Sequence, residues 1–209
     1  MLDCIDLGIC EYKQAYEIQK QIHQEVYEGK RNDTLIFVEH PPVLTLGASF
    51  HSENLLFPED FYAQRGIAIE KTDRGGDVTY HCPGQLVLYP IFNIAHHGRD
   101  LHKWLRDLEE VVILTLAEFN ISSRRFPPHT GVWVEDKKIA AIGVKAKKWV
   151  NLHGIAINCT NDLTPFQWFV PCGIKNYGVT SLERESGQAI DIKCLANKLH
   201  SSIKMVFEF

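Results

Sequence analysis

Residues 131–157 read GVWVEDKKIAAIGVKAKKWVNLHGIAI, and this stretch decides the fold class of the chain. It holds three apolar segments that are separated by short polar ones, such as Asp136-Lys137. Apolar runs of this length that are rich in valine and isoleucine are typical of buried strands, and short polar links between them favour hairpins. We therefore predict three antiparallel strands, over residues 131–134, 138–142 and 151–157.

Amphipathic helices are predicted on both sides of this stretch. Apolar residues at helical spacing predict a helix over residues 11–29, another that Asp100 caps, and a last one that starts at Asp191. A short helix is predicted at residues 58–64, and strand-like runs cover residues 34–39, 43–46, 67–70, 78–80 and 86–90. This order lacks the regular strand–helix alternation of a doubly wound fold. We predict a single α+β domain over residues 1–209, with a mixed, largely antiparallel sheet flanked by helices.

The composition argues against several classes of protein. The formal net charge is -4, and the lysines and arginines are spread along the chain, which argues against nucleic-acid binding. A run of about 18 apolar residues, as a membrane span requires, does not occur. The N-terminus also lacks a basic segment followed by an apolar one. We therefore expect a cytoplasmic protein without a membrane partner.

The cysteines and histidines do not form a recognisable metal pattern. The six cysteines fall at irregular intervals without a Cys-x-x-Cys pair, so the sequence predicts neither a disulfide framework nor a zinc knuckle. His96, His97 and His102 could suggest a metal site, but no cysteine or carboxylate with ligand spacing lies nearby. A polar loop that leads into a helix is favoured there. We expect no metal and no cofactor.

One block of residues carries most of the chemistry. The phosphate-binding loop, the dinucleotide fingerprint and the Gly-x-Ser-x-Gly nucleophile motif are all missing. Residues 74–85, RGGDVTYHCPGQ, instead concentrate glycines and polar side chains in one segment. The block is either a tight β-turn or a place where a ligand approaches the backbone. Glycine pairs also let N–H groups converge on a developing oxyanion, as acyl transfer requires.

Two further residues are candidates for a site. Cys172 stands between a proline and a glycine in a predicted loop, where a thiol can be reactive. Cys159 and Cys194, on a strand and a helix, are expected to be buried packing residues. Lys138 begins an apolar strand. The pattern alone leaves open whether this lysine is solvated or functional.

Six blocks in order resemble the motif set of the lipoyl(octanoyl) transferases, over roughly residues 35–182. These blocks are EHPPVLTLG at 39–47, RGG, TYH and PGQ within 74–85 followed by YP at 89–90, GVWV at 131–134, KIAAIG at 138–143, HGIAIN at 153–158 and PCG at 171–173. The resemblance implies an α/β domain similar to the catalytic domains of biotin protein ligases and lipoate-protein ligases. It also implies octanoyl transfer onto a lysine of lipoyl domains, the first step of endogenous protein lipoylation.

The resemblance implies a role for particular residues. It places the nucleophile that forms an acyl thioester at Cys172. Lys138 would lower the pKa of that thiol as an ammonium group or act as a general base when neutral, and the sequence leaves both open. Lys137 is the alternative, but strand alternation puts it on the opposite face. The implied substrate-binding residues are Arg74, Gly75, Gly76, Asp77, Val78, Thr79, Tyr80, His81, Ala141, Ile142, Gly143, Gly154, Ile155 and Ala156.

One position departs from the family pattern. The family commonly has glycine after the Tyr-His pair, where this chain has Cys82. A positive φ at that position would strain a cysteine. Cys82 could also be the reactive thiol itself, although adjacent side chains diverge and His81 is then poorly placed to activate it.

The implied partners are an octanoyl donor and lysine-bearing acceptors. The donor is octanoyl-acyl carrier protein, and the acceptors are lipoyl domains of 2-oxoacid dehydrogenase E2 subunits and the glycine cleavage H protein. Alternative functions are an ATP-dependent lipoate or biotin ligase, an amidotransferase between two lipoyl domains, and a non-catalytic module that binds an acyl carrier. Residues 145–148, KAKK, form either a docking edge for acidic carriers or a solvated hairpin turn.

Overall fold

The computed structural model describes residues 1–170 and 177–209. Its helices are α1 (Tyr12–Tyr27), α2 (Glu59–Ala63), α3 (Leu101–Ala117), α4 (Leu182–Ser186) and α5 (Ile192–Phe207). Its strands are β1 (Leu2–Ile9), β2 (Asp33–Glu39), β3 (Val43–Leu46), β4 (Ala68–Lys71), β5 (Val78–His81), β6 (Gln85–Ile91), β7 (Arg124–Phe126), β8 (His129–Val134), β9 (Lys137–Lys147), β10 (Val150–Asn158) and β11 (Gly178–Val179).

A large mixed sheet forms the centre of the molecule. Its strand order is β1-β2-β6-β10-β9-β8-β7, and β11 pairs with the start of β9. The β1–β2 and β11–β9 pairs are parallel, whereas the other pairs are antiparallel. This arrangement confirms the predicted mixed, largely antiparallel sheet. The three strands predicted between residues 131 and 157 are neighbours in it, as β8, β9 and β10.

Helices cover both faces of the large sheet because its central strands are apolar on both sides. Alternate residues of β2 belong to different clusters: Leu35 and Phe37 pack with α3 and α5, whereas Ile36 and Val38 pack with α1. Asp100 caps α3, as predicted, by accepting hydrogen bonds from the backbone N–H groups of residues 102 and 103. The predicted flanking helices are therefore confirmed, one on one face and two on the other.

A second, smaller sheet adjoins the large one, with the order β4-β3-β5. Pro41 and Pro42 separate β2 from β3, and proline cannot donate a ladder hydrogen bond, so the chain leaves the large sheet at this point. Sequence reasoning predicted both strands but not that they belong to different sheets. The smaller sheet packs against α2 around the buried side chains of Leu44, Tyr62 and Tyr80.

An edge strand and a cysteine also differ from the sequence-based predictions. Strand β1 was not predicted, because Asp3, Asp6 and Gly8 give it low strand propensity, and it is tolerated as a half-exposed edge strand. Cys194 was expected to be buried, but it is exposed on α5, whereas Cys159 is buried directly after β10, as expected. Of the helices in residues 1–170 and 177–209, none is long and apolar enough to cross a membrane.

Candidate active site

A cavity lies where the loop between β4 and β5 crosses the centre of β9 and β10, beside the start of α1. Its volume is about 520 Å³ when its opening to solvent is included. The residues that line it come from α1, the loop at 74–76, β5, β6, β9 and β10: Tyr12, Arg74, Gly75, Gly76, Thr79, His81, Val87, Tyr89, Lys138, Ala141, Ile142, Gly143, His153, Gly154, Ile155 and Ala156.

The cavity brings together Lys138 and most of the predicted substrate-binding residues, from three separate parts of the sequence. Successive residues of β5 face opposite sides, so only some of its predicted residues line the cavity. Thr79 and His81 face the cavity, while Val78 and Tyr80 pack into the cluster of the smaller sheet. Asp77 also does not line the cavity. Its carboxylate accepts a hydrogen bond from Asn54 Nδ2 at 2.6 Å.

The lining includes four residues that sequence reasoning did not place in the site. They are Tyr12, Val87, Tyr89 and His153. Tyr89 and His153 belong to the motif blocks, so their position in a motif was a usable signal. Tyr12 lies on the buried face of α1, where nothing distinguishes it from a packing residue. Only the packing of α1 against the sheet reveals it.

Arg74 anchors the glycine loop. The guanidinium is buried and donates to Thr45 Oγ1 (3.0 Å) and to the backbone oxygens of Thr45 (2.6 Å) and Asp77 (2.8 Å). The backbone N–H of Gly75 donates to the carbonyl oxygen of Val144 on β9 at 3.0 Å. These bonds fix the loop between the small sheet and the large one.

Glycines let the backbones of this region approach closely. A Cβ atom on Gly143 would lie 2.9 Å from the carbonyl oxygen of Gly75. A Cβ atom on Gly154 would overlap the carbonyl oxygen of Leu88 and lie 2.7 Å from Pro90 Cδ. A side chain at Gly143 or Gly154 would therefore collide with neighbouring backbone. Glycine at position 143 lets the loop at 74–76 lie directly on β9.

Lys138 lies on the cavity side of β9 and is buried, with 8% of its surface exposed. Its ammonium nitrogen lies 5.0 Å from the ring centroid of Trp133. Gly131, at φ 119°, lies under its stem, since a Cβ there would be 3.4 Å from Lys138 Cε. Lys137 is exposed on the opposite side of the strand. The two lysines thus face opposite sides of β9, as strand alternation predicts, and Lys138 is the one that lines the cavity.

His81 is held in one tautomer. Its Nδ1 lies 2.7 Å from Gln85 Oε1, which can only accept, so Nδ1 carries the proton. The amide of Gln85 is oriented in turn, because its nitrogen donates to Asn158 Oδ1 at 2.9 Å. Burial lowers the pKa of His81 to about 3. His81 is therefore neutral, with the lone pair of Nε2 available to a ligand in the cavity.

A second hydrogen-bonded chain runs from the cavity to the surface. The hydroxyl of Tyr12 donates to Thr72 Oγ1 at 2.9 Å and lies 3.4 Å from His153 Nδ1, and His153 Nε2 lies 2.7 Å from Asp73 Oδ1. Asp73 also accepts from Tyr16 at 2.9 Å and from Lys145 at 2.6 Å. Partial burial alone would raise the pKa of Asp73, but the hydrogen bonds from Lys145, His153 and Tyr16 hold it well below its usual value. Asp73 is therefore a carboxylate.

Of the basic hairpin, Lys145 and Lys148 have partners in the structure. Lys145 pairs with Asp73, and Lys148 lies over the ring of Tyr27 at 4.1 Å from its centroid. The hairpin turn itself is formed by Lys148 and Trp149, both with positive φ. Residues 145–147 thus belong to β9, and only Lys148 of the predicted turn lies in the observed one. The docking role stays a prediction.

The cysteines of the described part lie away from the cavity. Cys82 faces the cluster of the smaller sheet, and burial raises the pKa of its thiol to about 11. Its φ is not positive; Gly84 has the positive φ of this turn instead, at 84°. A cysteine is thus accommodated without backbone strain at position 82. Cys172 lies outside the described residues.

Within residues 1–170 and 177–209, no three histidine, cysteine, aspartate or glutamate side chains are arranged to hold a metal ion. His97 instead pairs with Asp33, with Nε2 and Oδ2 2.9 Å apart. Its partner is therefore a single carboxylate.

Known proteins resemble this chain in sequence and in fold. The family described as the lipoyl protein ligase A/B catalytic domain matches residues 11–204. An octanoyltransferase from Geotalea uraniireducens is 45% identical over 186 residues, which are 89% of this chain and 84% of the relative.

Two solved structures share the fold at low sequence identity. A lipoate-protein ligase A bound with ATP aligns with a TM-score of 0.79 at 16% identity, covering 100% of this chain and 86% of that one. A biotin protein ligase from Aquifex aeolicus, in complex with biotin and ATP, aligns with a TM-score of 0.64 at 16% identity. That alignment covers 99% of this chain and 70% of the ligase. These two likenesses concern the fold alone.

Proposed function

The chain belongs to the octanoyltransferase family, and on that premise we propose that it transfers an octanoyl group through a thioester at Cys172. It is an acyltransferase that acts in protein lipoylation. The donor is octanoyl-acyl carrier protein, and the acceptors are lysines of lipoyl domains. The observation that carries the proposal is the burial of Lys138 in a cavity lined by the motif residues of the family.

The first half-reaction moves the acyl group from one thioester to another. The thiolate of Cys172 attacks the carbonyl carbon of the donor, the bond between that carbon and the donor sulfur breaks, and the free carrier thiol leaves with a proton. A cysteine with an ordinary pKa near 8.5 is mostly protonated at neutral pH. Lys138 supplies the adjacent positive charge that favours the thiolate, and it returns a proton to the leaving sulfur.

Three observations support Cys172 as the nucleophile. None of the five cysteines in residues 1–170 and 177–209 lines the cavity. Val179 pairs with Lys138 on β9, and Cys172 precedes Val179 by seven positions, a tether of at most about 25 Å. The Pro-Cys-Gly block also stands at the position in the motif order where the family has it.

The apolar part of the cavity suits a medium-length acyl chain. Val87, Ala141, Ile142, Ile155 and Ala156 line it. Burying about seven methylene-scale carbons at ~0.8 kcal/mol each contributes on the order of 5 kcal/mol. That free energy favours octanoyl over acetyl, whereas a difference of one methylene is discriminated only weakly.

Intact mass spectrometry tests the proposal. The protein is incubated with octanoyl-acyl carrier protein without ATP, in parallel with the variants Cys172→Ala, Cys82→Ala and Lys138→Met. We expect a mass gain of one octanoyl group in the wild type and in Cys82→Ala, none in Cys172→Ala, and acylation slowed at least 100-fold in Lys138→Met. Cys82→Ala is the matched control, because it removes a thiol that faces away from the cavity.

Three other results would contradict the proposal. Acylation of a lipoyl domain from free octanoate and ATP, without an adduct on the enzyme, would indicate a ligase. Binding of the carrier without any adduct or transfer would indicate a non-catalytic module. Faster transfer from an octanoylated lipoyl domain than from the carrier protein would assign the donor role to the lipoyl domain, as in an amidotransferase.

A further inference from the structure

We propose that Tyr12, His153 and Asp73 form a proton exit path, which carries to solvent the proton that the acceptor lysine loses. This inference rests on the proposed acyl-enzyme mechanism and adds three residues to it. Tyr12 lines the cavity, His153 connects it to Asp73, and the side chain of Asp73 is 39% exposed at the surface.

The stoichiometry of the second half-reaction requires such an exit. The acceptor lysine is an ammonium ion at neutral pH, because its ordinary pKa is near 10.4. When its nitrogen forms the amide bond and the bond between the acyl carbon and Cys172 sulfur breaks, the nitrogen gives up two protons. One proton returns to the pair of Cys172 and Lys138, which lost one to the carrier thiol in the first half-reaction, and the other leaves the protein. On the proposed mechanism a lipoyl domain docks at the entrance of the cavity, and a path through the protein gives the second proton a way out that does not depend on that entrance.

The hydrogen bonds set the direction of the path. Asp73 is a carboxylate and accepts only, so Nε2 of His153 carries the proton of that 2.7 Å hydrogen bond. Nδ1 is then unprotonated and lies 3.4 Å from the hydroxyl of Tyr12, which donates to Thr72 Oγ1 at 2.9 Å and has to turn towards His153 for the transfer. Tyr12 thus accepts a proton from the amine and gives its own hydroxyl proton to His153. His153 in turn gives a proton to Asp73.

The backbone of His153 is unusual in a way that serves this path. His153 has φ 60°, in the left-handed region that non-glycine residues rarely adopt within a strand. Strand alternation would place its ring with Asn151 and Ile155, on the side of α3. The ring instead stacks on Tyr16 of α1, with centroids 5.1 Å apart, and the backbone N–H is held by Gln19 Oε1 at 2.9 Å. Strain of this kind is maintained where the surrounding structure demands one side-chain position.

The groups around the path favour transfer over storage of the proton. Burial lowers the pKa of His153, so an imidazolium does not persist there. The low pKa of Asp73, which Lys145, His153 and Tyr16 maintain against partial burial, favours release to water. The neighbouring rings of His40 and His81 lie 5.4 and 6.2 Å from that of Tyr12, and both histidines are neutral because burial lowers their pKa values to about 4 and about 3.

The choice of acceptor makes the path testable. Hydroxylamine is uncharged at neutral pH, so its reaction with the octanoyl-enzyme returns one proton to sulfur and exports none. Transfer to a lipoyl-domain lysine exports one. The single-turnover rate with lysine, divided by the rate with hydroxylamine, therefore reports on the step that needs the exit path. Effects of a variant that slow both reactions equally cancel in this ratio.

The experiment compares two tyrosines one turn apart on α1. Octanoyl-enzyme is isolated from the wild type, Tyr12→Phe, His153→Asn and Tyr16→Phe, and each is mixed with a lipoyl domain or with hydroxylamine. We expect the rate ratio to fall at least tenfold in Tyr12→Phe and His153→Asn, and less than threefold in Tyr16→Phe. Asparagine is chosen at position 153 because it tolerates the left-handed backbone.

The other outcomes overturn the inference. An unchanged ratio in Tyr12→Phe, even with both rates reduced, would show that Tyr12 only shapes the cavity. A fall in Tyr16→Phe as large as in Tyr12→Phe would show that the effect does not depend specifically on the hydroxyl of Tyr12. Failure of the wild type to form an octanoyl-enzyme would overturn the proposed function as well, which distinguishes the two cases.

Discussion

Cys82 shows that two adjacent residues can face opposite sides of the chain, and this direction makes its thiol a packing group and not a reactive one. It follows His81 directly, yet His81 faces the cavity and Cys82 faces the apolar cluster of the smaller sheet. Burial raises the pKa of Cys82 to about 11, so its thiolate fraction at neutral pH is far below that of an ordinary cysteine. The departure from the family glycine at this position therefore adds no chemistry to the site.

Alkylation measures this difference between the cysteines. After brief treatment of the native protein with iodoacetamide at pH 7.5, we expect Cys194, which is exposed, to be labelled at least tenfold faster than Cys82. Peptide mass spectrometry gives the extent of labelling at each cysteine, and the same reaction in urea provides the control in which both react. Labelling of Cys82 at the rate of Cys194 in the native protein would show that Cys82 is accessible.

At the scale of elements, α3 holds the hairpin of β8 and β9 that carries Lys138. Glu109 of α3 is fully buried, and its Oε1 accepts the backbone N–H of Gly131 at 3.0 Å. Its Oε2 pairs with Arg106 at 2.5 Å and with Arg125 at 3.2 Å. The pairing of β8 with β9 shifts register just after Val132, next to this contact. Glu109 thus fixes the irregular part of β8 beneath the stem of Lys138.

Replacing Glu109 should destabilise the protein much more than replacing its neighbour. In Glu109→Ala the buried N–H of Gly131 loses its acceptor and the arginines lose a desolvated partner, so we expect a loss of about 2–4 kcal/mol in the free energy of unfolding. Glu110→Ala is the matched control, because Glu110 binds the same Arg125 from a partly exposed position. We expect it to lose less than about 1 kcal/mol. Urea unfolding measures both, and equal losses would contradict a special role for Glu109.

At the scale of the whole molecule, buried neutral histidines make stability depend on pH. Burial lowers the pKa of His40 to about 4 and that of His81 to about 3. A histidine whose folded pKa lies below its unfolded value of about 6.5 takes up a proton on unfolding. Stability is therefore complete above that unfolded pKa and falls as the pH drops from about 6.5 towards the folded values, by up to ~1.4 kcal/mol per pH unit for each histidine.

His40 provides the test, since it lies outside the cavity lining and makes two hydrogen bonds, to Cys10 and Tyr89. We expect His40→Gln to reduce the slope of unfolding free energy against pH, between pH 6.5 and 5, by about 1 kcal/mol per pH unit. Urea unfolding at a series of pH values gives the slope. His102→Gln, on an exposed part of α3, is the control, and an equal change of slope in both variants would contradict the assignment.

Local patterns in the sequence predicted most elements of the fold correctly. Periodicity found α1, α3 and α5, and β-branched runs found β2, β3, β5, β6, β8, β9 and β10, because those elements have strong and continuous apolar faces. Strands β1, β7 and β11 were missed because they are short or lie at an edge, where pairing and not propensity decides the conformation. The assignment of β3 to a separate sheet was likewise beyond local patterns.

The sequence by itself determined the family, the fold class and the position of Lys138 in its strand. Glycine pairs, a lysine before an apolar run and the order of the motif blocks are local features, and a period of two assigns each strand residue to one face. Only the tertiary structure decided that Tyr12 lines the cavity, that Tyr80 does not, and that the left-handed backbone of His153 turns its ring towards Asp73. The reason is that these positions depend on contacts between residues some 60 to 140 positions apart, which form only when the helix, the loop and the two sheets pack together.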